Sequence, residues 1–253
     1  VQVHPDDEYA LKHAAGELGK TEMWYIMDAE EDAKLIYGID STISKEEFAA
    51  AIEAGELHQH LEELSVEAGD VVFIPSGTVH STLGGVLIAE IQQNSDTTYR
   101  VYDWNRVGDD GQPRDLHIES ALDVIDFGSD PRDKVEGLTI AGEGYTRNLQ
   151  VACPYFTTET LDITTSYEGQ ANGERFYVLM GLEGTATIDY ATGSTQLSSG
   201  ETALIPADLG EYQIKGNCKL ISSYIKDLAE LRRELTDAGY TADDLAKIAG
   251  LQE

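Results

Sequence analysis

Two histidines stand where side chains from separate strands could meet around a metal ion. His80 lies just inside the predicted strand that Thr78 opens after the turn Ser76-Gly77, and His4 ends the short run that starts at Val1. Because side chains alternate along a strand, Gln2 and His4 are expected to share one face. A histidine just inside a strand after a turn points toward the mouth of a β-barrel, where metals and small ligands bind.

A carboxylate is available to complete this set. Glu22 opens the predicted strand that contains Met23 to Met27, and Lys20 lies two residues before it. With one amide oxygen, one carboxylate and two imidazoles, the four candidate ligands suit zinc and leave room for water. The same mixture of nitrogen and oxygen donors also accepts Mn, Co or Ni. The proposed ligands are Gln2, His4, Glu22 and His80.

The remaining histidines are interpreted as surface residues. His58 and His60 have a spacing that suits a metal, but they follow a helix end in polar surroundings. His13 and His117 receive the same interpretation. Since no histidine follows His117, the second half of the chain is not expected to hold a histidine-ligated metal.

The elements that would position these side chains are short strands separated by turns. Val71 to Ile74 is a β-branched and aromatic run that Pro75 ends, and Val86 to Ile91 is a further strand. Such spacing of strands and Gly/Pro turns is typical of a jelly roll or barrel. The segment Gly200 to Pro206, GETALIP, parallels Gly69 to Pro75, GDVVFIP, which indicates an internal repeat of this unit.

The predicted fold is therefore mainly β, with two jelly-roll barrels. We expect a metal-binding unit over residues 1–126, a metal-free second unit over 137–226 and a helical tail over 227–253. The clearest strands of the second unit are Phe176–Leu179, Gly184–Ile188 and Glu201–Pro206. Residues 109–113 are predicted as a turn and 126–133 as a linker.

Helices are expected at three places. Ser44 and Glu47 form a capping box for a helix that Gly55 ends. A short helix over 117–125 would place Leu116, Ala121, Leu122 and Ile125 on one face. The tail is predicted as a helical hairpin, packed on the barrel or on a partner, with a buried face formed by Leu228, Leu231, Leu235 and Leu245.

Composition excludes several classes of protein. The chain has 253 residues and a formal net charge of −30, which argues against nucleic-acid binding. An anionic substrate would need local cations in such a field. No apolar run reaches the length of a membrane-spanning helix. The absence of a signal-peptide pattern and two widely separated cysteines, Cys153 and Cys218, predict a cytoplasmic protein, with a single disulfide as the alternative.

Four motifs resemble those of a known enzyme family. The segments QVHPDD, GELGKTEMWYI, GDVVFIPSGTVH and EIQQNSDTTYRVYDWNR are similar to the type I mannose-6-phosphate isomerases, in their short bacterial form with two cupin barrels. The resemblance covers residues 1–225. It implies one zinc ion on the four candidate ligands and catalytic roles for Arg100, Lys20 and Asp96. Family members carry a longer segment before QVHPDD, which the chain as given lacks.

The resemblance implies interconversion of mannose 6-phosphate and fructose 6-phosphate, with a proton moving between C2 and C1 through an enediol. A metal would polarise the substrate oxygens, and Arg100 would stabilise the developing charge. Lys20 would transfer protons if burial lowered its pKa. Arg100, Lys20 and Arg106 are the candidate phosphate-binding residues. Two alternatives remain: a sugar-phosphate-binding protein without turnover, or an isomerase or epimerase of another sugar phosphate.

Overall fold

The computed structural model describes residues 1–104, 106–107, 111–129 and 133–251. Strands dominate it, and the chain divides into two compact units, residues 1–134 and 135–253. None of the described helices has the length and apolar character that a membrane-spanning segment needs. Each unit is a curled antiparallel β structure with helices at its margin.

The described part of the first unit contains eight strands and three α-helices. Its strands are β1 (Gln2–Val3), β2 (Glu22–Ala29), β3 (Lys34–Ile39), β4 (Leu61–Ser65), β5 (Val71–Ile74), β6 (His80–Thr82), β7 (Val86–Gln92) and β8 (Tyr99–Arg100). Its helices are α1 (Asp7–His13), α2 (Lys45–Ala54) and α3 (Ile118–Val124), with a 3₁₀ turn over Leu57–His60.

These strands form two sheets that share a core. The larger sheet has the order β4-β3-β6-β1-β8, and the smaller one has the order β5-β2-β7. Trp24 and Ile26 of β2 and Val72 of β5 pack against Leu35 and Tyr37 of β3, so side chains of both sheets meet in one apolar cluster. All of β5 is buried, as its continuous apolar sequence predicts.

The helices of the first unit follow local signals. The Ser44–Glu47 capping box is present at the start of α2, and Gly55 ends the helix with a φ of 72°. Helix α3 buries Ala121 and Ile125 as expected. The prediction for Leu116 was wrong, because this residue precedes the helix and is 42% exposed.

The second unit is one nine-stranded antiparallel sheet. Its strands are β9 (Leu138–Gly142), β10 (Tyr145–Ala152), β11 (Thr157–Ile163), β12 (Ser166–Ala171), β13 (Tyr177–Tyr190), β14 (Gly193–Ser198), β15 (Thr202–Ile205), β16 (Gly210–Lys215) and β17 (Cys218–Tyr224). Cys153 and Cys218, both buried in this unit, are free thiols, so the alternative of a disulfide is wrong.

One long strand replaces two predicted strands in the second unit. Residues 177–190 form the continuous β13, whereas Phe176–Leu179 and Gly184–Ile188 were predicted as separate strands. A Cβ atom on Gly181 would lie 2.2 Å from the carbonyl oxygen of Ser198, and the pairing with β17 shifts register between Gly181 and Glu183. The glycines therefore mark a bulge and a close backbone approach rather than a turn.

The tail packs on the second unit. It contains α4 (Leu228–Asp237) and the single turn α5 (Ala242–Leu245). Leu231, Leu235 and Leu245 are buried against Leu138 and Leu149 of the sheet. Beyond α5, Ala249 pairs with Val151, and its amide donates to the carbonyl of Gln150. Parts of the predicted 109–113 turn, the 126–133 linker and the tail's last two residues lie outside the described residues.

Candidate metal centre

Strand pairing in the first unit brings three candidate ligands together. Gln2 of β1 lies opposite His80 of β6 in the larger sheet, while Glu22 begins β2 in the smaller sheet. His4, Glu22 and His80 are at most 1% exposed. Each contributes one ligand atom to a group in which all such atoms lie within 4.8 Å of one another. The centre is therefore enclosed between the two sheets.

Backbone carbonyls fix the orientation of both imidazoles. The Nδ1 atom of His4 lies 2.9 Å from the carbonyl oxygen of Thr97, and that of His80 lies 2.9 Å from the carbonyl oxygen of Thr78. A carbonyl oxygen only accepts hydrogen bonds, so each Nδ1 carries a proton. Each Nε2 then directs its lone pair into the cluster, an arrangement typical of metal-ligating histidines.

The cluster contains more acceptors than donors. The Nε2 atom of His4 lies 3.5 Å from Oε2 of Glu22, and that of His80 lies 3.1 Å from Oε1. Among the described residues, Nε2 of His4 and Oε1 of Glu22 are buried without a hydrogen-bond donor, and Oε2 of Glu22 has the ammonium group of Lys20 at 3.0 Å. Buried polar atoms rarely remain unpaired in this way. A divalent cation would satisfy both unpaired atoms, so the residues present fit a metal.

Gln2 can supply the fourth ligand. Its side-chain amide lies against the cluster, with the nitrogen placed 3.1 Å from Nε2 of His80. Amide nitrogen and oxygen are assigned by their contacts, and a half-turn of the amide exchanges them. After that half-turn the amide oxygen faces the same space inside the cluster as the Nε2 lone pair of His80. Gln2 therefore remains a candidate ligand.

The protonation states of two ligands suit a cation. Burial, followed by the repulsion of His80, lowers the pKa of His4 to about 3, so its imidazole is neutral at neutral pH. Burial raises the pKa of Glu22, but its close contact with His80 outweighs burial and holds that pKa well below its usual range. A neutral imidazole beside an ionised carboxylate is the form that binds metal.

Lys20 lies beside the cluster, but its predicted pKa shift was wrong. Its side chain is 11% exposed, and Nζ lies 3.0 Å from Oε2 of Glu22 and 3.2 Å from Oε1 of Glu90. Burial lowers the pKa of Lys20, yet the two carboxylates outweigh burial and raise it above its usual value. Lys20 is therefore a protonated partner of the cluster's carboxylates.

Glu90 is a site residue that the sequence analysis missed. It lies on β7 opposite Trp24 of β2, next to the pairing of Gln92 with Glu22. Burial and the neighbouring carboxylate of Glu22 raise the pKa of Glu90. The sequence did contain a signal for Glu90, because it is a single acid between Ala89 and Ile91 in a largely apolar strand. Side chains alternate along a strand, so the side chain of Glu90 lies on the opposite face from those of Ala89 and Ile91.

The three further site candidates occupy different positions. Arg100 of β8 lies opposite Gln2, and its Nη1 donates to the carbonyl oxygen of Asp115 at 2.9 Å. Arg106 forms an ion pair with Asp103 at 2.7 Å. Asp96 is exposed in the segment between β7 and β8, and no described hydrogen bond or ion pair joins it to the cluster.

A cavity of about 620 Å³ opens over this region. Its polar wall is formed by Gln2, Trp24, Ser81, Arg100, Arg106 and Arg114. The Trp24 ring also meets the His80 ring edge-on at a centroid distance of 5.4 Å. A cavity of this size is adequate for a small molecule such as a sugar derivative.

Comparison with known proteins gives one consistent result. The family model described as mannose-6-phosphate isomerase, cupin domain, matches residues 146–225. The mannose-6-phosphate isomerase of Streptococcus mutans is 39% identical over 224 residues, which is 88% of this chain and 69% of the relative. The mannose-6-phosphate isomerase ManA of Bacillus subtilis is 38% identical over 226 residues, which is 89% of this chain and 70% of the relative.

A solved structure agrees with these matches. The crystal structure of the mannose 6-phosphate isomerase from Bacillus subtilis superimposes with a TM-score of 0.82 at 37% identity. The match covers 88% of this chain and 70% of the solved one. Since each alignment is longer than either compact unit, the similarity extends over both.

Proposed function

This chain belongs to the mannose-6-phosphate isomerase family, and from that premise we propose that it interconverts mannose 6-phosphate and fructose 6-phosphate as a metal-dependent aldose–ketose isomerase. One observation supports this most directly. Nε2 of His4 and Oε1 of Glu22 are buried without partners in a cluster that Gln2 contacts, and Gln2 also lines a cavity whose wall carries three arginines. A metal ion would pair with the buried ligand atoms, and the anionic group of a sugar phosphate would pair with the arginines.

We propose one zinc ion per chain, held by Gln2, His4, Glu22 and His80. Two imidazoles, one carboxylate and one amide oxygen are a donor set that zinc accepts. When bound, the metal would supply Lewis-acid polarisation of the substrate's carbonyl and hydroxyl oxygens. The described carbonyl partners of His4 and His80 keep both Nε2 atoms directed at the ion.

Arg100 is proposed to stabilise charge on the substrate. It stands beside Gln2 in the sheet and lines the cavity, so its guanidinium group can face a sugar bound near the ligands. Negative charge develops on the sugar oxygens as the proton leaves C2. A planar fork of donors that is already in place stabilises such charge without reorganisation.

The resemblance implies proton transfer by Lys20, and because two carboxylates keep its ammonium group protonated, its proposed part is that of the proton donor. Its Nζ contacts the carboxylate of Glu90 at 3.2 Å, so a second proton-carrying group stands within reach. The same ammonium group holds Glu22 at 3.0 Å and thereby orients a ligand. For Asp96 the catalytic assignment rests on the resemblance alone.

The architecture behind this function is proposed to be two cupin barrels. Residues 1–126 would form the catalytic barrel and residues 137–226 a metal-free one, with 227–253 as the tail. The support is that β5 and β15 are four-residue strands in matching segments, each entered from a glycine with positive φ, Gly69 and Gly200. We further propose a cytoplasmic location, which fits two reduced, buried thiols.

The function is tested by measuring bound metal and turnover on the same sample. Purified chain is analysed for metal and assayed with a panel of aldose and ketose phosphates, before and after treatment with a chelator. We expect turnover of mannose 6-phosphate that disappears with the metal and returns on adding zinc. Bound metal without turnover of any sugar phosphate would contradict the enzyme, and preference for another sugar would contradict the substrate.

A further inference from the structure

Two arginines share one buried carboxylate at the rim of the cavity. Nη2 of Arg106 donates to Oδ1 of Asp103 at 2.7 Å, and Nε of Arg114 donates to Oδ2 at 2.7 Å. Nη2 of Arg114 also contacts Oδ1, so that pair is bidentate. The side chain of Asp103 is 7% exposed, whereas those of Arg106 and Arg114 are 63% and 51% exposed. A buried anion thus holds two guanidinium groups that face solvent.

This group has an excess of positive charge and of donors. The hydrogen bond from Arg114 holds the pKa of Asp103 well below its usual range, so the three residues together carry one net positive charge at neutral pH. A guanidinium group has five N–H donors. Toward described acceptors, Arg114 uses only Nε and Nη2 and Arg106 only Nη2. No hydrogen bond to a described residue uses the remaining N–H groups, so a ligand can accept from them.

The cavity wall contrasts with the rest of the chain. Arg100, Arg106 and Arg114 line it, and the described lining residues include no aspartate or glutamate. The chain as a whole has a formal net charge of −30. An anion is repelled by that field over most of the surface and attracted at this wall. Because Gln2 lines the same cavity, one molecule can reach both the candidate ligands and the arginines.

We propose that Arg106 and Arg114 bind the phosphate group of the substrate, and that Asp103 acts as a positioning residue that holds their guanidinium groups together. The inference rests on the proposed function, since it specifies how a sugar phosphate is held. Arginine forks match the oxygens of a phosphate in pairs. Arg100, opposite Gln2, is then left to face the reacting end of the sugar.

The experiment compares Arg106→Gln and Arg114→Gln with the control Arg233→Gln, since Arg233 is an exposed arginine of α4. Each full-length, metal-loaded variant is assayed for KM and kcat with mannose 6-phosphate. Its affinity for inorganic phosphate is measured by calorimetry, and its metal content in parallel. We expect KM and the phosphate Kd to rise about tenfold or more in both rim variants, with a smaller change in kcat. Metal content should stay unchanged, and the control should match the unaltered chain.

The positioning role of Asp103 has its own measurement. Asp103→Asn should weaken phosphate binding in the unaltered chain but not in the Arg106→Gln/Arg114→Gln background, where nothing remains to be positioned. An equal loss in both backgrounds would overturn the positioning role. Should a glutamine variant lose its metal through misfolding, Arg106→Lys and Arg114→Lys retain the charge and replace it in the comparison.

The phosphate titration separates this inference from the proposed function. If the unaltered chain turns over no sugar phosphate, the function fails, yet weaker phosphate binding in the rim variants still supports the arginine pair. If both rim variants, fully loaded with metal, keep KM and phosphate Kd within about twofold of the unaltered chain, the arginine pair is not the phosphate site.

Discussion

Nε2 of His80 lies 3.1 Å from Oε1 of Glu22, and both side chains are 0% exposed. Without a cation this contact has no clear donor, because the proton of His80 is on Nδ1, which faces the Thr78 carbonyl. His80→Ala should therefore lose most of the bound metal, since it removes one of four ligands and opens the cluster to water. Metal analysis of the purified variant measures this. The exposed His58 provides the control: His58→Ala should retain full metal content.

Metal stoichiometry should be one equivalent per chain. The first unit supplies the candidate ligands, and no other cluster of three ligand-type residues is found in the described part of the chain. The second unit also lacks histidine altogether. Two equivalents of metal, with the second lost on substituting residues beyond 137, would show that this expectation is wrong.

Arg100→Lys should lower kcat for mannose 6-phosphate without releasing metal. The substitution keeps the charge but removes the planar fork beside Gln2. Loss of a preorganised hydrogen-bond donor that stabilises negative charge in the transition state lowers turnover on the order of a hundredfold. Arg233→Lys is the matched control and should leave kcat unchanged. An unaltered kcat in Arg100→Lys contradicts the catalytic role, and a joint loss of kcat and metal indicates a collapsed site.

The second unit contains a buried ion pair whose disruption should depend on pH. Nε of Arg147 donates to Oε2 of Glu159 at 2.8 Å, and Glu159 is 3% exposed. Arg147→Met leaves that carboxylate buried without its charge partner, which typically costs about 3–5 kcal/mol. Denaturant unfolding can be followed through thiol reactivity, since both cysteines are buried in this unit.

The direction of the pH effect follows from the pKa of Glu159, which burial raises against the opposing charge of Arg147 and the Tyr224 hydrogen bond. A carboxyl whose pKa is higher in the folded state binds more protons there, so stability falls as pH rises above its unfolded pKa. Removing Arg147 raises the folded pKa further. Arg147→Met should thus be destabilised more at neutral than at acidic pH, and adding Glu159→Gln should restore much of the loss at neutral pH. Equal destabilisation at both pH values would contradict this.

Removal of the tail after Asp227 should lower the stability of the second unit and leave metal binding intact. The deletion exposes Leu138 and Leu149, which now pack against Leu231, Leu235 and Leu245. All candidate ligands belong to the first unit. Thermal unfolding and metal content of the truncated chain are compared with those of the full chain. A truncated protein that purifies folded but metal-free would contradict the expectation.

The sequence alone determined the features that depend on neighbouring residues. The Ser44–Glu47 capping box, the buried run Val71–Ile74 and the leucine face of the tail each rest on contacts or periodicities within a few residues, and all are present. The types of the candidate ligands were likewise visible, because the motifs that contain them resemble one family. Such local signals survive whatever the rest of the chain does.

Only the tertiary structure decided what depends on strands distant in sequence. Glu90 reaches Lys20 because β7 pairs with β2, and Glu22 together with Glu90 reverses the pKa shift that burial alone would give Lys20. The continuity of β13 depends on the backbone of Ser198 packing against Gly181. Arg114 meets Asp103 through a contact that the sequence pattern did not predict. Ion pairs and close backbone contacts between distant strands depend on how those strands are paired and in which register. Local sequence patterns do not specify that register.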